Sequence, residues 1–249
     1  RNQFTAGLTT VRASLAERAA LIDLRNSFYR TTAAQAKANP VKGYVFGDRN
    51  DRTRTNALVN LLLTHQVEVY ELPKDLSAAG KSFEKGSAYL VPTEQENYLM
   101  VRSAFEKDIT YTDSIFYDAS TWSLVHAFNM PHAELRIPPV KGARVTTIAP
   151  AVLPEVKRDA YAWLIELTDY HAHRALWQLQ SEGVVVKTAM RPFSTTVDGK
   201  EKKFGYGTLI IPGSGQAIGT DGVHRVLAKV SADCQVAVQL SLIHISEPT

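Results

Sequence analysis

A strand–helix–strand run that occurs twice, on either side of a proline-rich stretch, restricts this chain more than any other pattern. In the first copy, residues 41–47 (VKGYVFG) read as a short buried strand and Asp48-Arg49-Asn50-Asp51 as a polar loop. Thr53 is placed to cap a helix whose apolar stripe, Leu58, Leu61 and Leu62, runs to about His65. Residues 67–72 (VEVYEL) then alternate as a strand. Strand, helix and strand within about 30 residues form a βαβ unit, which implies a parallel pair with a right-handed crossover. The second copy starts at residues 161–167 (YAWLIEL), with Asp169 capping a helix over 170–182, Gly183 at its C′ position and a strand at 184–189. A further strand at 204–212 (FGYGTLIIP), a helix at 221–232 and a strand at 236–238 follow. The expected class is α/β with a mostly parallel sheet.

The remaining segments set the domain layout. Residues 6–38 contain no proline, and Leu8, Val11, Leu15, Ala19, Ile22 and Phe28 recur at helical spacing. One long amphipathic helix or two stacked ones are expected there, ended by Asn39-Pro40. Pro73, Gly80 and Gly86 mark turns, 87–91 reads as a short strand, and 94–105 and 113–128 read as helices. The layout is thus a helical segment at 1–40, an α/β region at 41–137, a proline-rich linker or crossing at 138–160 and a second α/β unit at 161–239. The last ten residues, LSLIHISEPT, resemble the in-frame translation of a transposase-type sequencing adapter and are set apart from the fold; a real terminal strand over 240–245 is the alternative. The chain starts at Arg1 and has its first methionine at Met100, so its beginning is expected to be a cut.

Composition excludes several classes. A net charge of +3 with no block of like charge argues against a nucleic-acid surface. The single cysteine, Cys234, rules out a disulfide framework and a cysteine-based structural zinc site. No stretch approaches the ~20 apolar residues of a membrane helix.

Each constellation that could carry chemistry has a plainer reading. His65-x-x-Glu68 with His171 and His173 downstream has the make-up of a zinc site, but a single H-x-x-E match is unremarkable in a chain with seven histidines. On a helix, His171 and His173 diverge by roughly 200° and do not form a pair. Gly213-Ser214-Gly215 follows a strand as a nucleophile elbow does, yet Ile211 and Gln216 occupy the positions where glycines are required. Asp118, Ser120, Ser123 and His126 share one aromatic segment with nothing to orient them as a triad, and Cys234 has no neighbouring base. The surviving candidates are two polar loops, Asp48-Arg49-Asn50 and Asp169-Tyr170-His171, each before a helix N-terminus where an anion binds well. Helix capping alone is the plainer account of both.

With these segments in view, the chain resembles the region that follows the catalytic domain in bacterial zinc carboxypeptidases of the carboxypeptidase A-like family. The resemblance lies in RNQFTAGLTTVRASLAERAALIDLRNSFY, YVFGDRNDRTRTNALVNLLLTHQVEVYEL, SAYLVPTEQENYLMVRSAFE, TDSIFYDASTWSLVHAFNMPHAEL and YAWLIELTDYHAHRALWQL. It implies a flavodoxin-like, class I glutamine-amidotransferase-like α/β region, cut short in its second part. It further implies an upstream peptidase domain as partner, with zinc held by an H-x-x-E pair and a later histidine, a substrate-gripping arginine, a general-base glutamate and a peptide as substrate. A secreted or periplasmic location goes with it. None of those catalytic residues maps onto this chain, so no catalytic residue, metal ligand or cofactor is expected here. Glutaminase activity is not expected either, because Ser214 stands at the elbow and Cys234 follows a helix. The expected role is a non-catalytic accessory region of a metallocarboxypeptidase; the alternatives are a stand-alone small-ligand-binding α/β module and an interaction scaffold.

Overall fold

A computed structural model describes residues 2–107, 123–150, 153–158, 160–197 and 199–241. They group into two compact units, residues 1–47 with 61–146, and 48–60 with 147–249.

The first unit opens with α1 (Asn2–Ala16) and α2 (Arg18–Ala38). The two are almost one helix: Glu17 donates to Ala13 O at 2.8 Å and Leu21 to Glu17 O at 3.0 Å across the join. Asn39 ends α2 ahead of Pro40, its Oδ1 accepting the Val41 N–H and its Nδ2 donating to the Tyr98 hydroxyl. The chain continues through β1 (Gly43–Phe46), α3 (Arg52–Thr64), whose residues 52–60 are grouped with the second unit, β2 (Val69–Glu71), a hairpin of β3 (Leu76–Ala78) and β4 (Lys81–Phe83), β5 (Tyr89–Pro92), α4 (Tyr98–Phe105), the short α5 (Leu124–Ala127), β6 (His132–Leu135) and β7 (Arg144–Val145). The sheet order is β6-β1-β5-β2-β7, and every neighbouring pair is antiparallel. One face of β1 carries Tyr44 and Phe46 against the Phe105 ring of α4. The opposite face carries Val45 with Leu90, Ala133 and Phe83, the last supplied by the hairpin.

The second unit contains β8 (Ala162–Ile165), α6 (Ala172–Ser181), β9 (Lys187–Thr188), the hairpin β10 (Phe193–Val197) and β11 (Lys200–Phe204), β12 (Leu209–Pro212), α7 (Gly219–Cys234) and β13 (Gln239–Ser241). Its sheet runs β13-β8-β12-β9, again antiparallel throughout. Trp163, Ile165, Leu209 and Ile211 meet Ala175 and Leu179 of α6 and Val223 and Leu227 of α7 in one core. Ala162, Leu164 and Ile210 face the other way, onto Phe204 of the hairpin.

The α/β class is present, and the mostly parallel, flavodoxin-like sheet is not. β1 and β2 do run parallel, as the βαβ reading requires, but β5 lies between them and is antiparallel to both. β12 likewise separates β8 from β9. With the hairpins, α5 and β7 set aside, the described elements from β1 to β6 and from β8 to β13 each have the order βαββαβ, and each sheet reads fourth, first, third, second strand. That is the split β-α-β, ferredoxin-like topology, and the second unit holds all four of its strands. The misreading has a physical source. Strands buried on both faces read as uniformly apolar, the usual mark of a parallel sheet; here the second face is covered by a hairpin.

The duplication extends to single hydrogen bonds. α3 ends with Val67 N–H on Leu62 O and Gln66 N–H on Leu63 O; α6 ends with Val184 N–H on Leu179 O and Gly183 N–H on Gln180 O. Both are Schellman closures around a left-handed residue, Gln66 (φ 58) and Gly183 (φ 77). Beyond each, one glutamine fastens the next strand. Gln95 accepts from Glu68 N at 2.7 Å and donates to Glu68 O and Pro92 O. Gln216 accepts from Val185 N at 2.9 Å and donates to Val185 O and Pro212 O.

Other boundaries move. Of the helix expected at 113–128, residues 113–122 lie outside the described residues and α5 covers the end. Within the proline-rich stretch, β7 forms an edge strand. β13 takes in Leu240 and Ser241, the first two residues of the adapter-like tail, and the Ser241 hydroxyl is 2.9 Å from that of Thr195. The rest of that tail lies outside the described residues.

Candidate functional site

The two loops singled out in the sequence meet in the second unit. Asp51, buried at the start of α3, accepts from the Thr53 hydroxyl and the Arg54 N–H through Oδ1, both at 2.9 Å. Asp51, not Thr53, is therefore the cap of α3. Its Oδ2 accepts the Tyr170 N–H at 3.1 Å and lies 3.3 Å from Arg54 Nε. Asp169 Oδ1 accepts the His171 N–H at 2.9 Å and stands 2.9 Å from the Thr53 hydroxyl. Asp48 accepts the Asn50 N–H at 2.9 Å, pairs with Arg54 Nη2, and gives its own N–H to Thr55 Oγ1 at 3.0 Å. Arg49 and Asn50 are exposed at the rim of this cluster.

The backbone N–H groups of Asn50, Arg54, Tyr170 and His171, the donors an incoming anion would need, are already taken by the chain's own carboxylates. His171 turns away, its Nδ1 within 2.8 Å of Cys234 O; a carbonyl only accepts, so Nδ1 carries the proton. The Tyr170 and His171 rings lie 5.3 Å apart. The cluster ties one loop to the other.

Thr53 has a single hydroxyl proton to offer its two carboxylate neighbours, Asp51 and Asp169. Burial pushes Asp169 above the usual carboxylate range, with the nearby Asp51 charge adding to it against the bonds from His171 and Thr53. A carboxyl raised in the folded state takes up its proton before the unfolded chain does. Its contribution to stability therefore grows as pH falls from the raised value towards 3.8 and is lost as pH rises through it. Asp169→Asn is expected to remove this slope, read as urea midpoints between pH 4 and 7. Parallel profiles for the two proteins would show that Asp169 does not titrate in this way.

The other sequence candidates are dispersed. Glu68 accepts from the Tyr70 hydroxyl at 2.7 Å and lies 3.6 Å from Arg144, while His65 is exposed at the end of α3. His173 is exposed in the first turn of α6. His126 Nδ1 is 2.8 Å from Ser123 Oγ; Asp118 and Ser120 lie outside the described residues. Cys234 is buried, its thiol directed at Gln178 Oε1 and pushed up by burial. Among the described residues no group of three or more His, Cys, Asp or Glu side chains could hold a metal ion. No helix among them is long and apolar enough to cross a membrane. Gln216, which disqualifies the elbow, is the strand-fastening glutamine. Sequence reasoning missed that role and Gln95's, although both glutamines follow an apolar strand ending in proline.

No protein-family model, curated protein or solved structure matches the chain.

Proposed function

We propose that this chain is a non-catalytic accessory region of a zinc-dependent metallocarboxypeptidase, and that α1 and α2 form the face that packs on the peptidase domain. The observation that carries the reading is an apolar seam left in water. Phe4, Leu8, Val11 and Leu15 alternate at four and three residues along α1, Ile22 and Tyr29 continue on α2 at seven-residue steps with Arg18 and Arg25 between them, and all six apolar residues are exposed, Phe4 at 75% and Val11 at 67%. The same seam continues into Thr32 and Ala36, the two buried residues of α2. A helical stripe of this width belongs against another surface. In this reading zinc would be held by the peptidase domain and would supply Lewis-acid chemistry there, and the present region contributes packing.

Zinc content and release of C-terminal residues from peptides test the reading, on the 249-residue chain and on the protein extended upstream of Arg1. The chain alone is expected to retain no stoichiometric zinc and release no residue. The extended protein is expected to do both, and to lose activity or stability with Leu8→Asp/Leu15→Asp. Stoichiometric zinc on the chain alone, lost in His65→Ala, would overturn the proposal. So would an extended protein without zinc-dependent peptidase activity, or one indifferent to the seam substitutions.

A further inference from the structure

Comparing the two units exposes a cleft that one has and the other has filled. In the second unit the sheet face away from α6 and α7 is covered by β10 and β11, five residues each, whose Phe193 and Phe204 rings stack at 5.2 Å over Ala162, Leu164 and Ile210. The matching hairpin of the first unit has only three residues per strand and brings in Leu76 and Phe83. Beside it a cleft of about 460 Å3 remains, lined by Leu72, Leu76, Leu90, Leu135, Ile137 and Val140. Ile137 and Val140 are left 79% and 74% exposed along it.

The charges around this cleft have one sign available. Lys74 and Arg136 line it from exposed positions, and neither makes an ion pair or hydrogen bond among the described residues. The acid beside them, Glu134, is engaged by Lys107 at 3.3 Å. Apolar walls of this volume with two cations among the lining residues match the usual build of a small-ligand site, in which the apolar body supplies affinity and a few polar groups fix orientation.

We propose that this cleft binds a monomeric amphiphilic carboxylic acid, with its aliphatic body of about ten carbons against Leu76, Leu90 and Leu135 and its carboxylate between Lys74 and Arg136. The groups are separate from the Asp51–Asp169 cluster and from the α1–α2 seam, so the site stands or falls independently of the accessory role.

Isothermal titration of the full chain with decanoate, held below its micelle concentration, tests this. One saturable site is expected for decanoate, with decyltrimethylammonium at least about tenfold weaker. Lys74→Ala/Arg136→Ala is expected to weaken decanoate about tenfold without altering thermal stability. Lys200→Ala/Lys203→Ala, on the second unit's hairpin, is expected to leave binding unchanged. Leu135→Trp, which fills the cleft, is expected to abolish it. The proposal is overturned by the absence of saturable heat, by equal binding of the cationic amphiphile, by indifference to the Lys74/Arg136 pair, or by binding to phosphatidylglycerol vesicles with none to monomeric decanoate.

Discussion

Gly47→Ala is expected to cost the first unit about 3 kcal/mol or more, a large fraction of the stability of an ordinary domain. Gly47 follows β1 with φ at +152°, a conformation that side-chain-bearing residues rarely adopt. An added Cβ would stand 2.4 Å from Ser87 O and 2.7 Å from Ala88 Cα, both backbone atoms of the turn entering β5. Neither can swing aside as a side-chain tip could. The strand would have to move, and with it the bond from Gly47 N to Pro131 O that holds the turn before β6. Gly86 provides the control: its φ is +85°, but nothing lies within 4 Å of the added carbon, so Gly86→Ala carries backbone strain alone, about 1–2 kcal/mol. Urea denaturation of the two variants separates these contributions. Equal losses would mean that β1 and the turn before β5 do not approach as closely as described.

Trp163→Ala is the second large effect, about 3–5 kcal/mol in the second unit. The indole is fully buried in β8 among the residues of α6, α7 and β12. Its Nε1–H donates to Lys157 O at 2.8 Å, tying the segment before β8 to the core. Truncation removes both the volume and the bond. Trp163→Phe keeps most of the volume and loses the donor, so about 1–2 kcal/mol is expected from the lost hydrogen bond and the small void. Near-ultraviolet circular dichroism and urea midpoints measure both variants. A Phe variant as damaged as the Ala variant would place the importance of Trp163 in its hydrogen bond and not in its bulk.

The strands and helices were largely legible in the sequence because the residues that define them act locally. The apolar runs at β1, β5, β8 and β12, the proline after α2 and the glycine after α6 each mark an element on their own. Strand order was not legible. Whether β5 lies beside β2 or between β1 and β2 depends on which faces the hairpins cover, and β3 and β4, three residues each, leave too short an alternation to read. β10 and β11 were missed for a related reason: FSTTV and KEKKF carry their partnership in Phe193 and Phe204, which meet only once the hairpin closes. At the candidate site the sequence supplied the two loops and the structure joined them. The link runs through Thr53 and Asp51, whose bonds to residues 169 and 170 span more than a hundred positions of chain and leave no local trace.

The paired glutamines also bear on how the chain reaches its native state. Each fastening bond closes over a short reach, 27 residues from Glu68 to Gln95 and 31 from Val185 to Gln216. Loops of that length close quickly and at modest entropic cost. Each motif can therefore set the path between its second strand and its second helix before its fourth strand arrives. The same short-range closure is thus built twice along the chain.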